Sequence, residues 1–179
     1  MSDIIVQKFG GTSVGSVERI DAVADIIKNA SLSEKIVVVV SAMSGETNKL
    51  VSLAKHFGDN PDKREFDALV STGETISSAL LTMALHSKGV KARSFSATQI
   101  SMKTTSTYSK AKILDVDSNK IMSVIENDTI PIITGFQGVT ETGDITTLGR
   151  GGSDTTAVAI AAQIKAKTVS YTHLTLPTN

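Results

Sequence analysis

Short β-branched runs alternate along the chain with stretches in which apolar residues recur at helical spacing. That alternation predicts an α/β fold built on a mostly parallel sheet. Ile4-Ile5-Val6 opens a first strand that ends at Gly10-Gly11. Val17, Ile20, Val23, Ala24 and Ile27 then fall on one helical stripe, with charged residues between them. Ile36 to Val40 is a continuous apolar run, as expected of a strand covered on both faces. Leu50, Leu53 and Ala54 mark a helix within Glu46 to Phe57, and Gly58 to Asp62 has the composition of a loop. A longer helical region runs from about Arg64 to Ser87, with Gly73 inside it as a kink or break. Ala92 to Phe95 reads as a short strand. Ser101 to Lys112, rich in Ser, Thr and Lys without a clear period, reads as a functional loop. Val124 and Ile125 end a further helix. Ile130-Pro131-Ile132-Ile133 begins a buried strand with its proline near the first residue. Val139 to Leu148 alternates around Thr142-Gly143-Asp144, a hairpin signal, and Ala157, Val158, Ala161 and Ile164 define a last helix.

Length and charge narrow the function classes. A chain of 179 residues fits one domain with a real core, and 40% apolar with 20% charged residues is ordinary for a soluble globular protein. Eighteen basic residues balance eighteen acidic ones, so no field of one sign points to nucleic acid or a membrane surface as partner. Cysteine is absent, which removes disulfides and thiolate metal sites and agrees with a cytoplasmic location. The polar start Met1-Ser2-Asp3 is unlike a signal peptide, and Ile36 to Val40 is too short to span a bilayer. His56, His86 and His173 are scattered without ligand spacing and read as surface residues, so no metal site is expected of the chain itself.

Three glycine-rich turns carry the candidate chemistry. Lys8-Phe9-Gly10-Gly11-Thr12-Ser13 joins a strand to a helix, where glycines let the backbone approach a phosphate and the helix offers N–H groups. Lys8 adds a cation able to follow a transferring phosphoryl group; steric need alone also explains two glycines at such a turn. No Walker A string occurs. Ser41-Ala42-Met43-Ser44-Gly45-Glu46-Thr47 follows the buried strand, at the end where open sheets bind ligands; Ser44 also suits a plain helix N-cap. Gly149-Arg150-Gly151-Gly152-Ser153-Asp154 puts a guanidinium at a glycine turn, suited to clamp a carboxylate, while Ser153 or Asp154 suits an N-cap. Glu74, beside Gly73, can hold an ammonium or simply favour the positive end of its helix.

Taken together these strings resemble the amino-acid kinase family, and within it the aspartokinases. The resemblance rests on Lys8-Phe9-Gly10-Gly11-Thr12-Ser13-Val14, Val40-Ser41-Ala42-Met43-Ser44-Gly45, Thr72-Gly73-Glu74, Gly135-Phe136-Gln137-Gly138 and, most specifically, Thr146 to Ala157. It implies a three-layer αβα sandwich and transfer of the ATP γ-phosphoryl group to the β-carboxylate of L-aspartate, giving 4-phospho-L-aspartate for lysine, threonine and methionine synthesis. It implies further that Lys8 sits by the phosphoryl group and that Phe9, Gly10 and Gly11 belong to the nucleotide side. Glu74 then holds the substrate ammonium and Arg150 its α-carboxylate, Thr47 and Ser153 line the pocket, and Asp154 organises Lys8. Mg²⁺ accompanies the ATP. An oligomeric full-length protein is implied as well.

The resemblance covers residues 1–168 as the N-terminal part of a catalytic domain and fails near Thr168. The family's nucleotide-binding strand and regulatory ACT domains are not found, and residues 169–179 form a tail foreign to the family, similar to a translated sequencing adapter joined to a truncated gene. On that reading the chain itself is inactive. The alternatives are an inactive fragment, an amino-acid-binding domain, or a related kinase such as glutamate 5-kinase.

Overall fold

The structure, a computed structural model, describes residues 3–172. In chain order the elements are β1 (Ile4–Phe9), α1 (Val17–Ala30), β2 (Lys35–Val40), α2 (Glu46–Lys55), α3 (Lys63–Val70) and α4 (Thr72–Ser87). These are followed by β3 (Ala92–Phe95), β4 (Lys103–Thr104), β5 (Ile113–Asp115), α5 (Ser118–Glu126) and β6 (Ile130–Thr134). The chain closes with β7 (Gln137–Val139), β8 (Ile145–Thr147), α6 (Gly152–Gln163) and β9 (Thr168–Thr172).

The central sheet runs β3-β6-β2-β1-β9, parallel throughout. The apolar run of β2 divides by the two-residue period of a strand. Val37 and Val39 pack on one side with Ile121 and Ile125 of α5 and Ala157, Ile160 and Ala161 of α6. Ile36, Val38 and Val40 pack on the other with Ile20, Val23 and Ile27 of α1 and Leu81 and Leu85 of α4. Helices therefore cover both faces, the three-layer αβα sandwich that the sequence implies. Each fully buried Val or Ile here contributes about 1.5–3 kcal/mol of transfer free energy, so this double-sided core anchors the strand ends that carry the site.

Pro131 is the second residue of β6, inside the sheet. Ile130 donates its N–H to the Lys91 carbonyl at 2.9 Å, and pairing with β2 begins only at Ile132. The missing proline N–H thus costs no ladder bond. β9 pairs with β1 from Ile5↔Thr168 to Phe9↔Thr172, so strand structure continues past Val169, where the sequence places the foreign tail. His173 to Asn179, including the last histidine and most of the tail, lie outside the described residues.

Two expectations need correction. The long helical region breaks at Ser71 rather than at Gly73. Gly73 lies within the first turn of α4, where an added Cβ would sit 2.8 Å from the Ala42 Cβ, so this glycine serves close packing. The loop expected over Ser101 to Lys112 contains β4, which joins β5, β7 and β8 in a second sheet of order β5-β4-β7-β8. The β7–β8 hairpin itself is as expected, with Gln137 opposite Thr147.

Taken across its break, Lys63 to Ser87 is long and apolar enough by length and composition to cross a membrane. Half of that apolar window is buried inside the domain, and the segment carries the buried carboxylates of Asp67 and Glu74. Both facts make it a core element of this fold.

Candidate functional site

A cleft of about 500 Å³ opens at the carboxyl ends of β1, β2 and β6, the end at which open α/β sheets bind ligands. Lys8 reaches it from β1, Gly11 from the turn that follows, Ser41 to Gly45 from the turn after β2, and Thr47 from the first turn of α2. Glu74 comes from α4, Phe136 from the turn after β6, and Gly149 to Asp154 from the start of α6. Of the residues singled out in the sequence, Lys8, Gly11, Thr47, Glu74, Arg150, Ser153 and Asp154 therefore line one cleft. Phe9 does not, because strand alternation turns its side chain into the core, where it is fully buried. Gly10 is not a lining residue either, but a Cβ on it would lie 3.4 Å from the Lys8 Nζ, so the ammonium rests over this glycine.

Lys8 is anchored. Its Nζ stands 2.8 Å from Asp154 Oδ1, with the lysine mostly buried and the aspartate half exposed. Gly11 is held by space: an added Cβ would come within 2.9 Å of the Ala42 carbonyl, and its own carbonyl accepts the Ser44 N–H at 3.1 Å. The helix after this turn is not at the cleft, contrary to expectation. α1 starts only at Val17, and the Ser16 side chain caps it by accepting from the Arg19 N–H. The helix starts that do line the cleft are those of α2, α4 and α6.

The simple capping explanations fail at both other turns. α2 is capped by Gly45 at φ 83°, with no side-chain bond from Ser44. α6 is capped by Gly151 at φ 75°, so Ser153 and Asp154 lie inside its first turn. Glycine enters this left-handed region at little steric cost, which leaves the hydroxyl and the carboxylate free for other partners. Gly135 lies so close to Ser153 that an added Cβ would be 2.6 Å from the serine Cβ.

Glu74 has the most perturbed environment in the cleft. Its side chain is buried, Oε1 accepts the Ala42 N–H at 3.1 Å, and Oε2 is buried without a hydrogen-bond partner. Burial pushes the carboxyl up to about 7, with the Ala42 N–H acting in the opposite direction. A buried carboxylate oxygen lacking a donor is costly, and an ammonium would supply both charge and donor. Arg150 is exposed at the rim, between two left-handed glycines, Gly149 at φ 82° and Gly151 at φ 75°.

Several lining residues escaped the sequence. Phe66, Ser109 and Thr147 line the cleft as well. Ser109 falls in the stretch read as a functional loop and Thr147 in the string that carries the resemblance, though neither was assigned a role, while Phe66 carried no local signal. Gln137 is buried behind the site and donates to the Ser71 carbonyl at 2.6 Å and to Thr75 Oγ1 at 3.1 Å, tying the start of α4 to the strand end.

The profile of the amino acid kinase family matches residues 3–173. The chain belongs to that family. It is 54% identical over 164 residues to an aspartate kinase of Pseudomonas putida, covering 91% of this chain and 40% of that protein. Among solved structures it is similar to an aspartate kinase from Synechocystis, with a TM-score of 0.80 and 44% identity over 93% of this chain and 28% of the other. It is also similar to aspartokinase III of E. coli in complex with aspartate and ADP, with a TM-score of 0.84 and 27% identity over 94% of this chain and 48% of the other. The central sheet and its helices are thus the amino-acid kinase fold. The chain spans about 40% of the length of the curated relatives it matches.

Proposed function

We propose that this chain forms the amino-acid-binding part of an aspartate kinase, which transfers the γ-phosphoryl group of ATP to the β-carboxylate of L-aspartate. The observation that carries the reading is the charge pattern of the cleft. Glu74 offers a carboxylate oxygen without a donor, Arg150 a guanidinium at the rim, and Lys8 an ammonium fixed by Asp154. L-Aspartate presents the complement: one ammonium and two carboxylates. Glu74 holds the ammonium, Arg150 the α-carboxylate, and Thr47 and Ser153 border the bound substrate. That the E. coli relative was crystallised with aspartate and ADP supports both ligands for this fold.

ATP, carried with Mg²⁺, supplies the phosphoryl group. The residues present fit that role. Phosphoryl transfer is catalysed mainly by positioning and by offsetting charge, and Mg²⁺ is held largely by phosphate oxygens with one or two carboxylates. Lys8 offsets negative charge as the β-carboxylate receives the phosphoryl group. Asp154 keeps the Lys8 ammonium in place and is exposed enough to meet an ion. Gly10 and Gly11 keep the backbone beside Lys8 open. The same reading gives a cytoplasmic, oligomeric enzyme at the entry to lysine, threonine and methionine synthesis.

The test is an acyl-phosphate trap with hydroxylamine. The chain extended to the length of its relatives, with ATP and Mg²⁺, is offered L-aspartate, L-glutamate and other amino acids. Hydroxamate formed from L-aspartate alone is the expected result. Preference for L-glutamate, or no hydroxamate from any acid, overturns the assignment.

A further inference from the structure

Asp67 of α3 is fully buried, and the function proposed above gives it no part. Its carboxylate accepts four hydrogen bonds from two distant segments. Oδ2 takes the backbone N–H groups of Ser109 at 2.8 Å and Thr147 at 2.7 Å. Oδ1 takes the hydroxyls of the same two residues at 2.9 Å and 3.0 Å. Among the described residues no cation pairs with it. The arrangement is therefore a clamp, with one carboxylate gripping both the amide and the side chain of each partner.

Both gripped residues line the cleft. Ser109 has φ 64°, a left-handed conformation uncommon outside glycine, so something must hold it there. Its carbonyl in turn packs against Gly149, where an added Cβ would lie 3.1 Å away. Thr147 is separated from Gly149 by one residue. The clamp thus grips one side of the glycine turn through the strand and the other through the Ser109 carbonyl.

The geometry points to Asp67 as a positioning residue that fixes the Gly149–Gly151 turn, and so aims Arg150 at the substrate carboxylate. This inference rests on the proposed function for its substrate and on the hydrogen bonds for its geometry. Asparagine can reproduce the clamp. Its oxygen can accept the two N–H groups, and its NH₂ can donate to the two hydroxyls, which are able to accept. Alanine cannot.

Calorimetric titration of L-aspartate into the chain tests this with Asp67→Ala and Asp67→Asn. Alanine should weaken binding about tenfold, and asparagine should stay within about twofold of the parent, the loss arising from buried donors left without an acceptor. In an Arg150→Lys background Asp67→Ala should add little, because residues acting through one contact are not additive. Multiplicative losses, or failure of asparagine to restore affinity, overturn the proposal. If Asp67→Ala does not fold, Thr147→Val removes one hydroxyl bond and should weaken binding about threefold; unchanged affinity then counts against the clamp. If the parent binds no L-aspartate, the functional reading fails by itself, and amide exchange decides the positioning. Faster exchange at Leu148 and Gly152 in Asp67→Ala but not in Asp67→Asn supports it, and equal rates in all three overturn it.

Discussion

Replacing Glu74 by glutamine should stabilise the chain while removing its affinity for substrate. The Glu74 carboxyl has an ordinary value of 4.5 and is pushed by burial to about 7 in the folded chain. Between those values the folded chain keeps a proton that the unfolded chain has released. Stability therefore falls as pH rises from about 4.5 to about 7, and the loss is complete above it. The difference between the two values is worth about 3 kcal/mol. Glutamine keeps an oxygen to accept the Ala42 N–H and carries no charge at any pH. Glu74→Gln and the parent should thus melt together near pH 4, and the variant should melt higher at pH 8, by roughly 6–12 °C for a domain of this size. Thermal melts followed by circular dichroism across that range give the difference curve, in which groups common to both proteins cancel. The same variant should lose L-aspartate binding, since the ammonium then meets no carboxylate. In the parent, binding should weaken by about tenfold per pH unit below 7, because substrate must displace the proton. A melting difference that is the same at pH 4 and pH 8 would show that Glu74 does not titrate between them in the folded chain.

Other expectations follow from single contacts. Lys8→Ala, in the chain extended to the length of its relatives, should depress kcat far more than it raises the KM for L-aspartate; near-normal turnover removes Lys8 from the mechanism. Arg150→Ala should cost about 1.5–3 kcal/mol of aspartate affinity, the value of charge-assisted hydrogen bonds, with kcat little changed. An unchanged KM sinks that assignment. Gly135→Ala places a methyl group 2.6 Å from the Ser153 Cβ and should destabilise the fold by about 1–3 kcal/mol, as measured by denaturant midpoint. A midpoint equal to the parent's contradicts the packing seen there.

The central layer was legible because its code is local. Ile36 to Val40 reads as a strand buried on both sides and is one, and of the helical stripe Val17, Ile20, Val23, Ala24 and Ile27 all but the exposed Val17 face it. The cleft was legible where charged residues stand beside glycines at strand or helix ends, as at Lys8, Glu74 and Arg150. Where the sequence misled, long-range packing decided. Gly73 resembled a breaker but packs directly against Ala42, and Ser44, Ser153 and Asp154 resembled caps at helix starts that left-handed glycines cap instead. Phe9, adjacent to Lys8 in sequence, points to the opposite face by strand alternation alone. Asp67 was invisible because its partners lie 42 and 80 residues away, and no local pattern records a clamp that closes through the fold. The short β4 was missed because a strand of two residues carries no period.

Whether Glu74 holds a substrate ammonium is decided by a pair of calorimetric titrations of the chain at pH 8, one with L-aspartate and one with succinate, which keeps both carboxylates but lacks the ammonium. L-Aspartate should bind and succinate should bind at least about tenfold more weakly, because Glu74 then has no partner and repels the ligand. Equal affinity for the two, or no binding of L-aspartate, would contradict that role for Glu74.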